Sequence, residues 1–120
     1  MGTTFGSVTP LIPTGTSLAE ALQFYTSQLG FAIAAQWDGG AVIRRGTVSF
    51  MLVPNSNREW ADNSSFSIGV DDLDDLYREY SDRGVPMGPL EVKFWGRREF
   101  HMIVPSGVCL QFFAAATDKD

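Results

Sequence analysis

The chain has 120 residues, 44% of them apolar and 19% charged, with a net charge of −5 and one cysteine, Cys109. That length suits one domain of the usual 100–150 residues or so, able to bury roughly two thirds of its extended surface. The composition excludes disorder, a bilayer span and a disulfide scaffold, and the acidic balance argues against nucleic acid, whose affinity comes mostly from basic faces.

In chain order, the first residues, Met1 to Gly6, lack the basic segment and apolar stretch of a signal peptide, so a cytoplasmic protein is expected. A strand-like run, Val8 to Ile12, comes next. Leu18, Leu22, Tyr25 and Leu29 then fall at helical spacing and predict a helix over 18–29. Ser17 and Glu20 make a capping box at its start, and Gly30 ends it. Strand-like runs follow at Phe31–Trp37, Ala41–Arg45 and Thr47–Val53, separated by Asp38-Gly39-Gly40 and Arg45-Gly46 turns. Residues 54–65 are polar and aperiodic and read as a loop, in which Trp60 is either tucked against the body or a lid over a ligand.

A second series repeats the first. Phe66–Val70 is strand-like, and Leu73, Leu76, Tyr77 and Tyr80 predict a helix over 73–83, capped by Asp71 or Asp72 and closed by Gly84. Asp74 and Asp75 complement the helix dipole, which explains the acidic run better than a hard-cation site does. Strand-like runs at Leu90–Phe94, Glu99–Val104 and Val108–Ala114 complete the order. Leu18, Leu22 and Tyr25 superimpose on Leu73, Tyr77 and Tyr80 at one constant offset, and Gly30-Phe31 recurs as Gly84-Val85 at an offset one residue shorter. The plan is α+β: module one over about 7–53, a linker loop over 54–65 and module two over about 66–114, within a single domain spanning 1–120.

Two βαβββ modules in this length, together with three motifs, resemble the glyoxalase/bleomycin-resistance/extradiol-dioxygenase (vicinal oxygen chelate) family. Leu22-Gln23-Phe24-Tyr25-Thr26-Ser27-Gln28-Leu29-Gly30-Phe31 is similar to its first-helix signature, and Val70 to Leu76 to its second helix start. Trp95-Gly96-Arg97-Arg98-Glu99-Phe100 and Val104-Pro105-Ser106-Gly107-Val108 resemble its Trp-Gly-x-Arg-x-Phe and Asp-Pro-x-Gly-Asn ending, with Val104 and Val108 departing from the Asp and Asn. The resemblance implies curled mixed sheets forming a cleft that a homodimer completes. It places the metal ligands of metal-dependent members at about Thr9 or Pro10, near Ser65 and on Gln111. None of these is a competent ligand for a divalent transition metal, and His101 is the only histidine. No metal and no cofactor are therefore expected.

Binding is the better supported chemistry. Aromatic residues make up 12% of the chain, and flat rings suit a planar, cationic ligand. By the resemblance, Trp95 stands where metal-free bleomycin-resistance members carry a Trp that contacts the drug, and Trp37 ends a strand bordering the cleft. The candidate ligand-binding residues are Trp37, Trp60, Phe66, Trp95, Arg97, His101, Gln111 and Phe113; Phe24, Phe31 and Phe50 are assigned to the core. The leading expectation is a binding protein, not an enzyme, that sequesters a small molecule of bleomycin type. Two alternatives stay open: a metal-free lyase or isomerase using His101 as acid-base, and a structural or regulatory dimer with no ligand. Cys109 reads as a small buried hydrophobe.

Overall fold

The helix starts are built by side chains. In the computed structural model, which describes residues 2–115, Ser17 Oγ accepts from the Glu20 N–H at 3.1 Å and Asp72 Oδ1 from the Asp75 N–H at 3.0 Å. The Ser17 half of the expected capping box is thus formed, and of the two aspartates it is Asp72 that caps. Asp74 and Asp75 form ion pairs, with Arg98 at 2.6 Å and with Arg78 at 3.1 Å. Met1 and residues 116–120, the ends of the expected domain, lie outside the described residues.

The chain divides into two compact units between Asn57 and Arg58. In the first, strand β1 (Leu11–Pro13) leads to helix α1 (Leu18–Gln23), then to β2 (Ala32–Trp37), β3 (Gly40–Arg45) and β4 (Val48–Val53). The second has helix α2 (Arg58–Asp62), β5 (Ser65–Val70), helix α3 (Leu73–Asp82), β6 (Glu91–Val92), β7 (Arg98–Ile103) and β8 (Cys109–Ala114). Their sheets run β1-β4-β3-β2 and β5-β8-β7-β6, each with a parallel first pair and antiparallel remainder. The same order and pairing in both units establish the internal repeat that two helical stripes only suggested.

Four expectations are corrected. The predicted strand at Val8–Ile12 begins later, because β4 offers partners only from the Pro10 carbonyl onward, which accepts from the Met51 N–H. The helix over 18–29 is α-helical only to Gln23. Phe24–Gln28 form a π turn in which the Thr26 hydroxyl donates to the Leu22 carbonyl and Leu29 N–H reaches back to Phe24. The run Leu90–Phe94 yields a two-residue strand, since Lys93 to Arg97 close into a turn. Finally, 54–65 is not all loop. Residues 58–62 form α2, too short to show a period, held by the Arg58–Asp62 pair and by Asn63 and Ser64 side chains donating to the Glu59 and Trp60 carbonyls.

Each sheet buries one face under its helix. In the first unit Leu22, Tyr25 and Leu29 pack with Phe31, Ile43, Phe50 and Leu52; in the second Leu73, Leu76 and Tyr80 pack with Phe100, Met102, Leu110 and Phe112. Tyr80 meets Phe100 and Phe112 edge-on, and those two rings stack on each other. Phe31 and Phe50 are core residues as expected, and Phe24 is half-buried. Gly30 and Gly84 follow the helices with φ of 79° and 74°, a left-handed turn that a Cβ would strain. All six residues of β2 are exposed, and this edge is irregular where its register shifts between Ile33 and Ala35, as edge strands often are.

The buried Tyr25 hydroxyl has no hydrogen-bond partner among the described residues, and burial pushes its pKa up. An unpaired buried hydroxyl typically costs about 1 kcal/mol or more. Tyr25→Phe is therefore expected to stabilise the protein by about 1 kcal/mol, a rise of a few degrees in Tm by calorimetry. A lower Tm would show that the hydroxyl is satisfied.

Candidate functional site

Alternation along a strand decides which side chains meet. In β7, Phe100 and Met102 face α3, so Glu99 and His101 occupy the other face of the second sheet. Across β8 the register sets Glu99 opposite Phe113 and His101 opposite Gln111; across β5 it sets Ser67 beside Gln111 and Ser65 beside Cys109. The turn before β7 brings Trp95 and Arg97 onto the same face.

The centre of this face is Glu99, whose side chain is 0% exposed. Its Oε2 accepts from Trp95 Nε1 at 2.9 Å and from Arg97 Nε at 2.8 Å, and its Oε1 lies 2.6 Å from His101 Nε2. Burial opposes the charge, but these donors, Arg97 first and then His101 and Trp95, outweigh it and hold the carboxyl down at about 2. Trp95 and His101 are consequently held nearly parallel, 18° between planes and 6.5 Å between centroids. Arg97 also lies 3.9 Å over the Phe113 ring. Gly69 leaves room for that ring, since a Cβ there would come within 3.0 Å of it. Beyond Arg97 the network continues. Arg97 Nη2 donates to Ser67 Oγ, Ser67 Oγ to Gln111 Oε1, and Gln111 Nε2 to Ser65 Oγ at 2.7 Å.

Five of the eight candidate residues are thus brought together: Trp95, Arg97, His101, Gln111 and Phe113. Of the other three, Phe66 and Trp60 belong to the second unit and Trp37 to the first. Phe66 is aligned with Leu110 and belongs to the α3 side of the sheet. Trp60 is half-buried in α2. Trp37 lies over Gly40, where a Cβ would meet its ring at 2.8 Å. It ends β2 and lines a groove against α1 with Leu18, Leu22, Gln23 and Ile33. The residue that organises the site, Glu99, was not among the candidates. The signal lay in the sequence: Arg97, Glu99 and His101 alternate with Arg98, Phe100 and Met102. Cys109 is half-buried on the same face.

The positions that hold metal in metal-dependent relatives do not fit one here. Ser65 and Gln111 hydrogen-bond to each other, and Thr9 pairs with Ser49 at 2.9 Å, so hydroxyls and a neutral amide are engaged among themselves.

The fold is shared with known proteins. The Glyoxalase/Bleomycin resistance protein/Dioxygenase superfamily profile matches residues 13–119, and the chain belongs to that superfamily. A bleomycin resistance protein of Geobacillus stearothermophilus is 27% identical over 87% of this chain and 92% of its own length. The crystal structure of the bleomycin-binding protein from bleomycin-producing Streptomyces verticillus, complexed with copper(II)-bleomycin, superposes with a TM-score of 0.84. It is 26% identical and covers 96% of this chain and 100% of its own. The bleomycin resistance determinant encoded on the transposon Tn5 has the same fold, with a TM-score of 0.83 and 21% identity over 94% of this chain and 100% of its own.

Proposed function

We propose that the protein confers antibiotic resistance by capturing a flat, cationic compound of bleomycin type, stoichiometrically and without metal. The observation that carries this is the convergence of Trp95, Arg97, His101, Gln111 and Phe113 around one ionised carboxylate, in a chain whose relatives are bleomycin resistance and bleomycin-binding proteins. The exposed indole of Trp95 is the stacking platform. Glu99 neutralises Arg97, and the net charge of −5 draws a cation toward the protein. No bond in the ligand changes; affinity comes from stacking, fixed polar groups and charge.

The protein works as a homodimer in the cytoplasm. Supporting the dimer, Phe5, Val8 and Leu11 in the first unit and Val92 and Ile103 in the second leave large apolar side chains exposed. Among the described residues no helix is long and apolar enough to cross a membrane.

Incubating the protein with a several-fold excess of bleomycin in chelator, then recovering the drug after denaturation, tests capture against chemistry. Capture predicts that free drug is depleted one-for-one and recovered with unchanged mass. A modified drug, or depletion beyond one equivalent per site, would transfer the function to a His101-dependent enzyme. Free drug at its starting concentration would refute both.

A further inference from the structure

The direction of one hydrogen bond has a consequence for what the site accepts. Glu99 receives Trp95 and Arg97 on one oxygen, and with these donors its carboxyl is ionised at neutral pH. A carboxylate can only accept, so the proton in the 2.6 Å contact sits on His101 Nε2. In neutral imidazole the other nitrogen is then a bare acceptor. Among the described residues no side chain or backbone group bonds to Nδ1, and the His101 side chain is 29% exposed.

We propose that Glu99 is a positioning residue that locks His101 as the Nε2–H tautomer, so that Nδ1 selects flat ligands carrying an N–H donor beside the aromatic ring. The proposal rests on the capture reading above and names the ligand class within it. Nearly every other polar side chain here is engaged. Arg97, Ser67 and Gln111 bond along the network, and Glu91, paired with Lys93, flanks Glu99 from β6. From β8 the Cys109 thiol is on this face, while the Arg98–Asp74 pair lies on the α3 side.

Thionine and methylene blue test this, being permanently cationic dyes of one ring system with amino and dimethylamino groups respectively. A hydrogen bond of ordinary strength, roughly 1.4 kcal/mol, is tenfold in affinity. Wild type is expected to prefer thionine by about tenfold at pH 8, and His101→Phe to lack that preference. Because His101 is the only histidine, its imidazole 15N shifts also report the tautomer in the unmodified protein, with Nε2 protonated and Nδ1 bare at pH 8. The opposite tautomer, equal affinities, failure of both dyes to bind, or a preference surviving in His101→Phe would each overturn the proposal. If bleomycin still binds in those cases the capture reading stands; if bleomycin fails too, both fall.

Discussion

Glu99→Ala is expected to destabilise the second unit by about 2–4 kcal/mol in urea unfolding and to weaken ligand binding at least tenfold. The carboxylate is fully buried and is the shared acceptor for Trp95, Arg97 and His101, so its loss leaves a guanidinium and an indole N–H without their partner. Affinity falls for a different reason: nothing then keeps the Trp95 ring at its angle to His101. The same interaction sets an acid dependence. The folded carboxyl is held at about 2, below its ordinary 4.5, so Glu99 contributes fully above pH 4.5 and its contribution is lost as the pH falls toward 2. Wild type should therefore lose more stability than Glu99→Ala between pH 4.5 and 2. Parallel acid profiles for the two proteins would show that Glu99 is not ionised against these donors.

Trp95→Ala is expected to cost about thirtyfold in affinity for bleomycin, the effect of losing a stacking anchor worth about 2 kcal/mol. Trp95 is 49% exposed and Phe94, itself 96% exposed, meets its ring edge-on, so little core is removed. Stability should change by less than about 1.5 kcal/mol. Trp37→Ala is the matched comparison, because that ring lines a groove against α1 on the first unit, and affinity there should stay within about twofold. Isothermal calorimetry of the two variants separates the possibilities. Lost stability with unchanged affinity in Trp95→Ala would make that ring a packing residue.

The parts of this architecture legible in the sequence are those whose cause is local. Ser17, Asp72, Gly30 and Gly84 act within a few residues of themselves, and the helix limits followed from them to within the π turn at Phe24–Gln28. Strand limits depend on a distant partner, so Val8 and Phe94 have the propensity for strand but no neighbour to pair with. The site divides the same way. Trp95, Arg97 and His101 stood out by residue type, whereas the role of Glu99 depends on its complete burial, which the local alternation of Arg97, Glu99 and His101 does not by itself reveal. The bulge between Ile33 and Ala35 changes the alternation along β2, which no local pattern announces.

The central claim is that ligand is captured on the polar and aromatic face built around Glu99. The three tryptophans, Trp37, Trp60 and Trp95, each give an indole N–H signal, and Trp95 alone donates that proton to Glu99. Titrating 15N-labelled protein with bleomycin in chelator and following these signals reads out the site directly. The account predicts a saturable shift of the Trp95 signal at one drug per site, with the Trp37 signal in place. A shift of Trp37 with Trp95 unmoved, or no shift of any of the three at saturating drug, would contradict it.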